Sequence, residues 1–404
     1  MSNFAFGTYR ITDKNQQHVQ ALREAIKSGI KLIDTSTNYM DGSAEKAIAL
    51  ALRSFDEDKR QEVEIVSKFG YIQGTTLQRH KEEPFEDVVE YSENCFHSIS
   101  TSFMKDQLEK SLFRLELKKI DCYLIHNPEY YIFDALKKNI NHDDILDNLY
   151  DRIYDVFVGL EQEVKSGKIG SYGISSNSFA KENTDVEFLP YEDLVTLATK
   201  AAEYTGNEKH SFTTIQLPIN LLEREGLKCA SWAKANGLRV LANRPLNAQK
   251  DGAMFRLADY DESDEYFHHL NELLDVCDND ELINLYNLIK QLDENIHKYM
   301  WIGDYDIFLY SQIIPHIKKS LEHFNDNVDV IINYVDMFLH EYRKMVAFEC
   351  FKKTTMQLKD TLDYTSGSLQ EFALQFLMQK DNIDYILVGM RKPAYVNDII
   401  SLKS

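Results

Sequence analysis

Four residues with complementary proton chemistry stand at the ends of three short apolar runs in this chain of 404 residues. Asp34 and Tyr39 lie in KLIDTSTNYMDGSAE, residues 31–45; Lys68 sits at the end of VEIVSKF; and His126 ends the apolar part of KIDCYLIHNPEYY. A free phenol, with a pKa of about 10, exchanges protons poorly near neutrality. A neighbouring ammonium lowers that value, and a carboxylate keeps the ammonium charged and aimed. The residue types therefore point to proton transfer through Tyr39, with Lys68 tuning it and Asp34 holding Lys68. Each residue alone is more commonly structural. The weight comes from finding all four at successive strand ends.

Those ends belong to a regular alternation. FAFGTY leads to QQHVQALREAIKSG, where Val19, Leu22 and Ile26 share a helix face and Gly29 supplies a stop. KLID, VEIVSKF, IDCYLIH, YGISS, TTIQLP, LRVLAN and YILVG follow as further strands, each preceded by a segment with helical periodicity. Eight strands in this pattern predict an α/β fold, a (β/α)8 TIM barrel. A doubly wound open sheet gives the same alternation, but no GxGxxG follows any strand, and the chemistry ends strands two, three and four together, as the mouth of a barrel would gather it.

Residues 249–365 interrupt the alternation between strands seven and eight, so the barrel is expected over 1–248 and 366–404. Within the interruption, Leu282, Leu285, Ile289, Leu292 and Ile296 recur at helical steps, as do Ile331, Val335, Phe338, Tyr342 and Met345. An inserted helical subdomain is predicted. A smaller excursion, roughly residues 71–99, follows strand three.

Composition excludes several classes. Of the formal net charge of −20, the hundred residues from 251 carry −14, with 21 acidic against 7 basic side chains. Nucleic acid and anionic membrane are polyanions and make poor partners for such a chain. No apolar run approaches the length of a membrane span. Met1 runs almost directly into the first strand, leaving no space for a signal segment, so a cytoplasmic protein is expected. Cys95, Cys122, Cys229, Cys277 and Cys350 lie far apart without a CxxC pair, which argues against a metal site or a disulfide framework.

The motifs around the four residues resemble the aldo-keto reductase family, whose Asp, Tyr, Lys and His tetrad would fall on Asp34, Tyr39, Lys68 and His126. The resemblance covers nearly all of residues 1–248 and 366–404. It implies an oxidoreductase that interconverts a carbonyl and its alcohol by hydride transfer, with Tyr39 as general acid or base and His126 donating a hydrogen bond to the carbonyl. It also implies a nicotinamide cofactor. GTYR, with Gly7 and Thr8, resembles the family's opening strand; Gln216 matches the glutamine that binds the nicotinamide carboxamide. A Ser-Asn pair that shares this task would fall within Ser175, Ser176 and Asn177, in either of two registers.

Two stretches depart from the family pattern. Where a Tyr-Ser-Pro-Leu run is common after strand seven, this chain reads Asn243, Arg244, Pro245, Leu246. An amide offers less stacking surface than a phenol, while Arg244 is able to pair with pyrophosphate oxygens or with an acid of the insertion. In VGMRKPAYVNDI, residues 388–399, Gly389, Arg391 and Lys392 are present, but the closing Glu-Asn of the family is Asp398 and Ile399. The two cations favour a 2′-phosphate, hence NADP(H), with NAD(H) as the alternative. The insertion is expected to act as a lid or as a surface for a protein partner. The rival function is a nucleotide-binding regulatory or scaffold protein that uses the barrel as a redox sensor.

Overall fold

A computed structural model describes residues 3–322, 324, 328–361, 364 and 367–402. The chain divides into two compact units, Met1–Pro245 with Gln375–Ser404, and Leu246–Leu374. The sequence reading set these boundaries at 249 and at 365/366; the latter pair lies outside the described residues.

The first unit is a closed parallel barrel. Its strands are β1 (Asn3–Gly7), β2 (Leu32–Asp34), β3 (Glu64–Phe69), β4 (Ile120–His126), β5 (Ile169–Ser175), β6 (Phe212–Pro218), β7 (Arg239–Asn243) and β8 (Tyr385–Val388). They pair in chain order, and β8 closes on β1 through Phe6 opposite Val388. The helices between them form as their periodicity predicts. In Gln16–Lys27, Asn15 caps the first turn by accepting from the Gln17 backbone N–H, and Val19, Leu22 and Ile26 are buried.

The strand period of two explains where the chemistry sits. Ala5, Leu32, Val66, Leu124, Leu241 and Leu387 belong to one buried apolar cluster. Two residues further along each segment, on the same face, come Gly7, Asp34, Lys68, His126, Asn243 and Gly389. Register extends the layer: Gly7 is opposite Asp34, His126 opposite Ser175, and Ser175 opposite Gln216. Eight strands thus place eight candidate residues one step above the apolar filling, at the C-terminal rim. The β5–β6 register shifts between Tyr172 and Gly173, and there a Cβ on Gly173 would collide with the Thr214 carbonyl oxygen. Only glycine lets these two strands approach.

The excursion after β3 is itself folded. Tyr71–Ile72, Val89–Ser92 and Cys95–His97 make a three-stranded antiparallel sheet, with a helix at Gly74–Glu82.

The second unit starts with a hairpin, Asn247–Lys250 with Ala253–Arg256, and continues as helices Tyr266–Cys277, Ile283–Glu294, Ile302–Phe308, Ile314–Leu321 and Val328–Thr361. All ten residues singled out by helical spacing are buried in one cluster, together with Leu273, Tyr305 and Val346. Glu341 and Glu349 are buried beside that core, and the other charged residues described in this unit are half-buried or exposed. No helix among the described residues is long and apolar enough to cross a membrane.

Candidate active site

At the rim, Lys68 Nζ lies 2.7 Å from Asp34 Oδ1, donates to the Thr35 carbonyl at 2.7 Å and donates to Tyr39 Oη at 3.3 Å. The lysine side chain is fully buried and that of Asp34 is 5% exposed. Tyr39 reaches this ammonium from a 3-10 turn, Tyr39–Gly42, whose Met40 and Asp41 both have left-handed backbone angles, φ 49° and 56°. Asp41 Oδ1 holds the turn by accepting from the Thr75 backbone N–H and hydroxyl. The His126 ring stands edge-on to Tyr39, with centroids 6.0 Å apart, and Tyr9 packs against the other side at 5.3 Å. All four residues of the expected tetrad are brought together.

The electrostatics differ from expectation in one respect. Burial pushes the Tyr39 phenol well above its ordinary pKa, and the charge of Asp34 and the nearby Tyr9 push the same way. Burial, the largest of these influences, outweighs the depression that an ammonium alone would cause. Burial likewise raises Asp34, against the pull of Lys68, and lowers Lys68, against the pull of Asp34. His126 is driven well below its usual value by burial, then by Lys68 and His97, so it is neutral near pH 7. The resting site holds a protonated phenol beside a neutral imidazole.

Asp34 also accepts from Gln216 Nε2 at 2.7 Å, and Gln216 Oε1 accepts from the Ser175 hydroxyl at 3.0 Å. Thr8 donates to the Asp34 carbonyl through its backbone N–H, 3.0 Å, and its hydroxyl, 2.8 Å. Ser176 turns away: its hydroxyl donates to Glu129 at 2.8 Å, as does the Asn177 backbone N–H. The Asn177 side chain is half-buried and makes no hydrogen bond among the described residues. Ser175 and Gln216 are thus joined to Asp34 at the rim, and Asn177 follows two residues beyond Ser175.

The rim also has unfilled capacity. Asn243 Oδ1 is buried with no hydrogen-bond partner among the described residues. A Cβ on Gly7 would meet nothing nearer than 3.6 Å, and one on Gly389 nothing nearer than 4.0 Å. An orphan acceptor, two rim glycines that present no side chain, and the Ser175, Asn177 and Gln216 set fit the amide of a nicotinamide nucleotide.

The remaining expected residues are scattered. Arg244, at φ 51°, pairs with Glu223, an acid of the barrel rather than of the insertion. Pro245 and Leu246 are buried, and the division between the two units falls between them. Arg391 and Lys392 are exposed just before the helix Pro393–Ser401; the charge of Arg391 adds to the burial that lowers His18. Asp398 is exposed on that helix, while Ile399, where the family pattern would close with asparagine, is buried and apolar. No amide stands at that position.

Two neighbours, Glu129 and Tyr71, were not legible beforehand, whereas His97 and Tyr130 stand out in the sequence as residues that could line the pocket. Glu129 is 1% exposed, and burial raises its carboxyl to about 7 despite the donors from Ser176 and Asn177. Tyr71 stacks edge-on to His126 at 4.8 Å and to Tyr130 at 5.2 Å, and accepts from Asn127 Nδ2 at 2.7 Å. His97 donates from Nε2 to the His126 carbonyl at 2.7 Å. The lone acid in LIHNPEYYIF was the one available signal for Glu129; Tyr71 carried none.

A model of the aldo/keto reductase family matches residues 3–403, and the chain belongs to that family. Aldo-keto reductase YhdN of Bacillus subtilis (strain 168) is 25% identical over 231 residues, covering 55% of this chain and 52% of YhdN. An uncharacterized oxidoreductase of the same organism, YqkF, is 27% identical over 186 residues, covering 46% of this chain and 47% of YqkF. The chain spans about half the length of these curated relatives. Among solved structures, aldo-keto reductase AKR11C1 from Bacillus halodurans (holo form) shares 15% identity with a TM-score of 0.49, over 100% of this chain and 86% of its own.

Proposed function

We propose that the protein is an NADP(H)-dependent oxidoreductase that interconverts an aldehyde, ketone or sugar carbonyl with its alcohol, using Tyr39 as the proton donor and acceptor. The observation that carries this reading is the Lys68 ammonium 3.3 Å from Tyr39 Oη and 2.7 Å from Asp34 at the barrel rim.

A nicotinamide nucleotide held at the mouth would supply the hydride. Ser175, Asn177 and Gln216 would hold its carboxamide, and Asn243 would use its orphan oxygen for a nearby donor. Arg391 and Lys392 would pair with a 2′-phosphate, which favours NADP(H) over NAD(H). When hydride reaches the carbonyl carbon, the π electrons of the C=O bond pass to oxygen, and that oxygen takes the Tyr39 proton. The phenolate left behind sits 3.3 Å from an ammonium in a dry site, where the attraction is stronger than in water. Five cysteines without a disulfide fit a reducing compartment, and we place the protein in the cytoplasm.

The test is Tyr39→Phe. Removing the only proton that the reacting oxygen can take from this side chain should lower kcat by about 10²–10⁴-fold. Binding of NADPH, read by fluorescence, should change little. A variant with undiminished turnover refutes the reading.

A further inference from the structure

Glu129 is an acid that the hydride-transfer chemistry above does not use. It is 1% exposed, burial raises its carboxyl to about 7, and it has no ion-pair partner among the described residues. A buried carboxyl without a counter-charge is unfavourable unless donors surround it. Here they do. Oε1 accepts from the Asn177 backbone N–H and Oε2 from the Ser176 hydroxyl, each at 2.8 Å.

Those donors belong to the turn that follows β5, and each backbone N–H from Ser176 to Ser178 has a partner. The Ser176 N–H donates to the Gln216 carbonyl at 3.0 Å, the Asn177 N–H to Glu129, and the Ser178 N–H to the Ser176 hydroxyl oxygen at 3.1 Å. The Ser176 hydroxyl proton is committed to Glu129. What remains is the Asn177 side-chain amide, half-buried and without a hydrogen bond among the described residues.

Glu129 is itself anchored. Its carbonyl accepts from the Phe133 N–H at 3.1 Å, at the start of the helix Tyr130–Lys137, which buries Ile132 and Ala135. Two residues before it, the Asn127 N–H donates to the Ser175 carbonyl at 2.7 Å. A side chain from the loop after β4 therefore sets the shape of the loop after β5. Without it, the Asn177 N–H and the Ser176 hydroxyl would have to find other acceptors, and the turn would be free to reshape.

We propose that Glu129 is a positioning residue for the cofactor, holding the turn Ser175–Ser178 in the shape that presents the Asn177 amide to the nicotinamide carboxamide. It acts through the turn, not through contact with the cofactor. The inference rests on the assignment of Ser175, Asn177 and Gln216 to the carboxamide and adds the group that pre-arranges them.

The test compares two ligands of the full-length protein by calorimetric titration. One is NADPH; the other is 2′-phosphoadenosine 5′-diphosphoribose, which keeps every part of the cofactor except the nicotinamide. The ratio of their affinities reads the nicotinamide end alone and cancels effects on the rest of the site or on overall stability. Glu129→Ala should lower that ratio about tenfold, the order of one hydrogen bond. Glu129→Gln should restore most of it, because its amide oxygen still accepts from the Asn177 N–H while its NH2 donates to the Ser176 oxygen. Ser176→Ala removes one of the two ties and leaves a smaller cavity, so it decides the matter if Glu129→Ala does not fold; it should lower the ratio about threefold. A ratio unchanged in the alanine variants, with both ligands weakened alike or not at all, overturns the proposal; a wild type that still prefers NADPH then leaves the cofactor reading standing. A wild type that binds the two ligands equally sinks the carboxamide assignment, and the proposal falls with it.

Discussion

Lys68→Met tests the electrostatic core of the rim most directly. The substitution keeps most of the side-chain volume but removes the cation that lies 2.7 Å from Asp34, in a pair whose side chains are 0% and 5% exposed. Asp34 keeps a donor in Gln216 Nε2 but loses its counter-charge. Leaving one charge of a buried pair uncompensated costs about 3–5 kcal/mol, and Asp34→Asn should cost a similar amount by stranding the ammonium. The double variant strands neither, so it should cost no more than either single change. The coupling should therefore be on the order of 3 kcal/mol or more. Trp232 lies in the barrel helix Gly226–Ala235 and Trp301 in the second unit, so urea unfolding followed by fluorescence in a Trp301→Phe background reports the barrel alone. Acid gives a second check. Asp34 already has a raised pKa, and without Lys68 it rises further. A raised folded pKa contributes stability below the unfolded value of about 4 that is lost as pH climbs through the folded one. The deficit of Lys68→Met should thus shrink as pH falls from about 7 to 5. Additive single changes, within about 0.5 kcal/mol, would refute the buried pair.

Three further outcomes are expected. Glu129, raised to about 7, contributes stability that is present below about 4.5 and lost as pH rises through 7, about 3 kcal/mol in all; Glu129→Gln should flatten the urea-stability profile between about pH 5 and 7, and parallel profiles would contradict this. Because burial holds the Tyr39 phenol protonated well above neutrality, carbonyl reduction should vary little from about pH 6 to 9, whereas alcohol oxidation, which needs the phenolate, should keep rising through about pH 9 without a plateau; initial rates in both directions decide it. Gly173→Ala forces a methyl group into the Thr214 carbonyl and should destabilise the barrel by about 3 kcal/mol or more, seen as a lower urea midpoint for Trp232.

The barrel strands and the tetrad were legible in the sequence because each is signalled locally. A strand's period of two puts Lys68 above Val66 and His126 above Leu124, whatever the rest of the chain does. Helical spacing likewise picked out ten residues that all lie in the core of the second unit. The folded excursion at Tyr71–His97 was visible only as an interruption; that it would lay Tyr71 against His126 depended on antiparallel pairings across more than twenty residues.

What the sequence by itself determined is a set of side chains and the strand ends that carry them, since strand periodicity and turn chemistry act over a few residues. Only the tertiary structure decided how those side chains behave. Arg244 met Glu223, a barrel acid, and Ser176 turned to Glu129 while Ser175 turned to Gln216. The phenol of Tyr39 rose where its ammonium neighbour alone would have lowered it, and Ser36 took its place beside His126 Nδ1. Ionisation and hydrogen-bond direction depend on how much water is excluded and on which partner stands within about 3 Å. Both are properties of segments distant in sequence that meet in space.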